Sequence, residues 1–132
     1  MSMKSQNKEL LIKDLCSRLP YEVKVRRYKY TTPTTAIEST ELFGLGWLEE
    51  LYTEEAEFKP YLFPMSSMTE EQKKTYYLLC NRVIVDAEFG NAYESIYCDN
   101  YQSLDYLLEN HFDYRGLIEK GLAIDATGLN IY

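Results

Sequence analysis

The chain has 132 residues, of which 45% are hydrophobic and 27% charged, a balance that suits one soluble globular domain and excludes a disordered or collagen-like chain. It holds no run of about 18 apolar residues, and Met1 to Leu10 is too polar for a signal-peptide core, so neither a membrane-spanning nor a secreted class is expected. The net charge of −7 is unevenly spread: residues 1–30 carry eight basic and three acidic side chains, and the remainder carries six basic and eighteen acidic ones.

Leu11, Ile12, Leu15, Cys16 and Leu19 recur at helical spacing, while Lys8, Glu9, Lys13, Asp14 and Arg18 fall elsewhere. This predicts an amphipathic helix over about 8–19, ended by Pro20. Tyr21 to Tyr30 alternates, with Tyr21, Val23 and Val25 on one side and Glu22, Lys24 and Arg26 on the other. That reads as a strand with one wet face. A phase slip at Arg26-Arg27 suggests a bulge or the strand end there. Thr31 to Thr34 contains Pro33 and reads as a turn, and the β-branched run Thr34 to Thr40 completes a hairpin.

Leu42 to Leu48 is apolar but interrupted by Gly44 and Gly46, which suits a strand with close backbone approach. Glu49 to Glu57 fits either a strand edge or an acidic helix turn. Phe58 to Met65, with Pro60 and Pro64, is expected to be an extended connector packed over the core. Thr69 followed by Gln72 is a capping-box pattern, and Glu70 and Glu71 favour the positive helix end, which predicts a helix from Glu70 to about Asn81. A polar loop is expected over Gly90 to Asn100. Tyr101, Leu104, Leu107 and Leu108 mark another amphipathic helix to Asn110; Asp113 caps a shorter one over 114–120 ended by Gly121, before the apolar tail Leu122 to Asp125.

Chemistry-bearing residues are sparse. Cys16, Cys80 and Cys98 are odd in number and widely spaced, which argues for free thiols and a cytoplasmic, reducing setting. His111 is the only imidazole; its place at a helix end favours a cationic structural role, and neither a metal site nor a cofactor is expected. The chain has no phosphate-binding loop, HExxH, nucleophile elbow or calcium loop, so no catalytic residue is nominated.

Two segments, Lys59 to Lys74 (KPYLFPMSSMTEEQKK) and Asn110 to Ala123 (NHFDYRGLIEKGLA), resemble stretches of small uncharacterised proteins of gut Bacteroidetes and of their phages and mobile elements. They cover about 30 of the 132 residues. The resemblance implies a cytoplasmic origin and a mobile-element setting, with roles such as host modulation or counter-defence, and transfers no site residue.

The fold class expected is α+β, a single domain over 1–132, with a small antiparallel sheet from roughly 21–62 packed with an N-terminal helix and a C-terminal helical half. Its expected core is Leu11, Leu15, Val23, Val25, Trp47, Leu62, Leu104, Leu107, Leu108, Leu117 and Ile118. The 13 tyrosines, against 5 phenylalanines and 1 tryptophan, point to a non-enzymatic interaction module, because tyrosine buries a large rigid area and keeps a hydrogen-bonding tip. Tyr28, Tyr30, Tyr52, Tyr93 and Tyr97 are the exposed candidates, and a protein partner or self-association is the expected mode. The alternative is nucleic-acid or nucleotide binding through the stripe of Lys24, Arg26, Arg27, Tyr28 and Tyr30, which the acidic net charge disfavours. The third reading is an enzyme with an unrecognised site.

Overall fold

The computed structural model describes residues 3–80 and 101–132. The expectations placed on residues 81–100, Tyr93 and Tyr97 among them, lie outside the described residues. The chain forms an α+β arrangement with helices α1 (Ser5–Arg18), α2 (Leu48–Thr53), α3 (Glu70–Leu79) and α4 (Tyr101–Glu109). Its strands are β1 (Lys24–Thr32), β2 (Thr35–Leu42), β3 (Glu57–Pro64), β4 (Phe112–Asp113) and β5 (Ile124–Asp125). The sheet is mixed: β2, β1 and β3 run antiparallel in that order, and β3 pairs in parallel with both β4 and β5.

The β1–β2 hairpin forms as its sequence predicts, closed across Thr32 and Thr35, with the threonines of the turn hydrogen-bonded to one another. The register shift falls between Tyr30 and Thr32 rather than at Arg26-Arg27. Simple alternation, continued without a bulge, already puts Arg26, Tyr28 and Tyr30 on one face. Tyr21 belongs to a 3-10 turn before the strand, and Glu22 adopts a left-handed φ of 60°.

Residues 58–65 are not a connector. They make up most of β3, the strand on which the sheet is organised. Leu62, fully buried, joins a main core with Leu11, Leu15, Val25 and Phe58, whereas Phe63 packs with Met68, Leu107 and Phe112 in a second cluster. A strand buried on both faces needs no alternation, which is why its apolar run resisted assignment. Pro60, which lacks an amide N–H, sits where the β1 ladder ends, at Val25 opposite Pro60, and Tyr61 begins the β5 ladder.

Leu42 to Leu48 also departs from expectation. Strand β2 ends at Leu42, and Leu45–Trp47 forms a 3-10 turn leading into α2. A Cβ at Gly44 or Gly46 would meet nothing within 4 Å, so no close approach exists there. The segment instead turns to lay Trp47 against Phe58, ring centroids 6.0 Å apart. Asp113 does cap a following turn, its carboxylate accepting from the Leu117 and Ile118 amides at 2.8 and 2.9 Å. No helix grows over 114–120, because Gly116 takes a φ of +72° inside it. The capping box forms in full: Thr69 Oγ1 accepts from Gln72 N at 3.1 Å, and Gln72 Oε1 accepts from Thr69 N at 2.9 Å.

The helix α1 buries more than its apolar stripe. Asp14 and Arg18, assigned to the wet side by periodicity, are both 0% exposed. Arg18 Nε donates to Asp14 Oδ2 at 2.8 Å and Nη2 donates to the Phe112 carbonyl at 2.7 Å, which fastens α1 to β4. Arg115 approaches the same carboxylate, Nε to Oδ1 at 3.6 Å. In the core, Trp47 and Ile118 are only partly buried, Leu104 is half-buried, and Phe43, Leu51, Phe58 and Phe112 are fully incorporated.

Asp14→Ala strands a buried guanidinium and is expected to destabilise the fold by about 3–5 kcal/mol in urea denaturation. The double substitution Asp14→Leu with Arg18→Met should recover part of that loss, short of full recovery because the Phe112 carbonyl loses its donor. A single-variant loss below about 1 kcal/mol would show that the pair is not held out of water.

Candidate functional site

Side chains alternate across β1, so Lys24, Arg26, Tyr28 and Tyr30 share the wet face while Val25 and Arg27 face the core side. The expected basic stripe is therefore divided between two faces. Arg26 sits between Glu57 and Glu38, at 2.9 and 3.5 Å, and its guanidinium lies 5.5 Å from the Tyr28 ring centroid. Arg27 donates to Glu50 from Nε at 2.8 Å and from Nη2 at 2.6 Å, and its guanidinium stacks 4.9 Å from the Trp47 ring centroid. Lys24 Nζ donates to the Ile131 carbonyl at 2.8 Å. All three cations are engaged within the fold.

The tyrosines of this face remain available. Tyr28 and Tyr30 meet edge to face, centroids 5.2 Å apart, and Tyr30 is 68% exposed. Hydrogen bonding to Tyr30 holds the Tyr28 phenol above its ordinary pKa. Below them lies an open depression of about 810 Å³, floored by Leu11, Ala56 and Phe58 and rimmed by Glu54, Glu55 and Glu57. Tyr52 is also exposed, with Lys8 Nζ 4.6 Å from its ring centroid.

The second polar constellation surrounds His111, which has a left-handed φ of 62°. Its ring stacks on Tyr132 at 3.6 Å between centroids and 11° between planes, a contact between residues 21 positions apart that no local pattern announces. Tyr132 Oη donates to the Tyr61 carbonyl at 2.9 Å and accepts from Lys24 N at 2.9 Å; burial pushes its pKa up to about 12. His111 Nδ1 is buried without a hydrogen-bond partner among the described residues. Burial, reinforced by the positive charges of Arg18 and Lys24, lowers the imidazole pKa to about 4. The cationic histidine expected at a helix end is thus neutral, because burial outweighs the helix dipole. A smaller depression of about 370 Å³ adjoins it, lined by the hydroxyl residues Ser67, Thr127 and Tyr132; the Ser67 hydroxyl donates to the Pro64 carbonyl at 2.6 Å and that of Tyr132 to the Tyr61 carbonyl at 2.9 Å.

Cys80 is disulfide-bonded, contrary to the expectation of three thiols, and Cys16 is the free cysteine among the described residues. Wide spacing in sequence sets no distance in the fold, so the count alone misjudged Cys80. Among the described residues no three His, Cys, Asp or Glu side chains are grouped as metal ligands. No helix among them is long and apolar enough to cross a membrane.

The lowered His111 pKa fixes a sign for acid stability. Protonation favours the unfolded chain, so the contribution is complete above about pH 6.5 and is lost as pH falls toward about 4. Allowing for partial exposure, the loss should be about 2 kcal/mol. His111→Asn, which tolerates the left-handed backbone, should flatten the stability profile between those pH values in urea titrations.

Comparison of the chain with protein-family models, with curated proteins and with solved structures finds no match.

Proposed function

We propose that the chain is a non-enzymatic binding module that engages a protein partner through its β1–β2 hairpin. The observation that carries this reading is the Tyr28–Tyr30 pair, an aromatic face beside an open depression, with Tyr30 68% exposed on the outer face of β1. Rigid aromatic side chains with polar tips supply contact area at small entropic loss. A cytoplasmic, phage or mobile-element setting belongs to the same proposal through the two resembling segments; the disulfide at Cys80 counts against the cytoplasmic part.

Three other readings lose support. A phosphate backbone gains affinity by replacing counterions with protein cations, and Arg26 and Arg27 already hold Glu57 and Glu50. Self-association through the basic and acidic portions loses its drive in the same way, since Lys8, Arg26 and Arg27 meet Glu54, Glu57 and Glu50 within one chain. Among the described residues, an enzymatic reading would rest on the neutral His111, whose Nδ1 has no hydrogen-bond partner there.

The double variant Tyr28→Ser, Tyr30→Ser should keep its thermal midpoint within about 4 °C of the parent and lose at least tenfold of the partner captured from native-host lysate. Retained capture would overturn the hairpin as the binding surface. A single-stranded oligonucleotide shifted at low salt by the parent, and not by the variant Lys24→Gln, Arg26→Gln, Arg27→Gln, would transfer the reading to nucleic acid.

A further inference from the structure

Strand β1 outlasts its inner neighbour. Its pairing with β2 continues to Thr32 opposite Thr35, but its pairing with β3 stops at Tyr28 opposite Glu57. Among the described residues, Lys29, Tyr30, Thr31 and Thr32 therefore have no strand on the β3 side, where the chain enters β3 only at Glu57. An unpaired strand flank is a template for another extended chain. The depression of about 810 Å³ lies at this flank, with Tyr28 and Tyr30 as one wall and Leu11, Ala56 and Phe58 beneath.

Charge selects the occupant. Glu54, Glu55 and Glu57 line the depression against Arg26 and Lys59. Arg26 is held by Glu57, and Lys59 lies 3.8 Å from the same carboxylate. Glu54 accepts from Met3 N at 2.6 Å and lies 3.5 Å from Lys8 Nζ. Glu55 is exposed and makes no ion pair among the described residues. Among the residues lining the depression the uncommitted charge is thus negative, next to an exposed aromatic ring, a pairing that favours a cationic side chain; Lys29, which alternates to the face opposite Tyr30, is not one of them.

We infer that the open flank of β1 over Lys29–Thr32, with the depression beside it, is a strand-addition site for an extended peptide segment bearing basic side chains. This inference rests on the hairpin reading above and narrows it to one edge and one partner chemistry. Main-chain hydrogen bonds to β1 would hold the segment, its apolar side chains would enter the depression beside Tyr28, and a lysine or arginine would lie between Tyr30 and Glu55.

The test is an amide chemical-shift titration of the isotope-labelled full chain. The probe is an end-blocked nonapeptide of alternating lysine and valine, and the control is its glutamate–valine counterpart. The lysine peptide should shift amides within Lys29–Thr32 and at Ala56, the control should not, and Glu55→Lys should weaken the response about tenfold. Tyr30→Ser should weaken it as well; both changes are at exposed positions. Equal response to the two peptides, shifts confined to the outer edge of β2 over Thr35–Leu42, or no response at millimolar peptide would overturn strand addition. If lysate capture still depends on Tyr28 and Tyr30 in that event, the hairpin surface stands without this site; if capture is also unaffected, both fail.

Discussion

The ion pair between Asp14 and Arg18 joins parts of the molecule that have little else in common. It lies within one helix, i to i+4, yet its guanidinium reaches the Phe112 carbonyl, 94 residues away. From β4 the connection continues into the sheet, since Phe63 N donates to the His111 carbonyl at 2.8 Å and Phe63 and Phe112 are register partners. Asp113, next in sequence, caps the turn that carries Leu117 into the main core. A charge removed from water is tolerable only when its partners are fixed, so the position of α1 and that of the 112–118 segment are set together.

Other charges follow the same economy of position. The excess of cations in residues 1–30 and of acids thereafter suggests a molecule with two opposite surfaces, but the fold brings the two sets into contact. Arg27 and Glu50 close on each other beneath Trp47, and Arg26 bridges β2 and β3 through Glu38 and Glu57. Exposed pairs such as Arg26 with Glu38 contribute little stability one by one. Their larger consequence is subtraction: they withdraw positive charge from the surface and leave an acidic rim and bare tyrosines beside the end of the β1–β3 ladder.

Local signals were legible in the sequence, and long-range ones were not. The Thr69–Gln72 box and the Thr32–Thr35 hairpin rest on neighbours three residues apart, so their chemistry was on view. The α+β class followed from the alternation of Tyr21 to Tyr30 and the helical spacing of Leu11, Leu15 and Leu107. Strand β3 was hidden because Pro60 and Pro64 argue against a sheet interior, an objection removed for Pro60 only by its place between two ladders. Burial of Asp14 and Arg18 leaves no trace in hydropathy; the i to i+4 spacing of an acid and an arginine is the one hint, and on most helices it marks a solvated pair. Of the candidate site, Tyr28, Tyr30 and Arg26 are legible in the alternation of β1, whereas the short reach of β3 shows only in the register and Glu55 only in the lining of the depression.

Strand addition at the hairpin as proposed requires that β1 have an open flank beyond Tyr28. Backbone amide exchange, resolved by residue, reads this directly. Amides of Val25 to Tyr28, flanked by β2 and β3, should all be protected, while in Lys29 to Thr32 those directed at β2 should be protected and those directed away should exchange like open chain. Uniform protection from Lys24 to Thr32 would contradict the account, because it would mean that the flank is already covered.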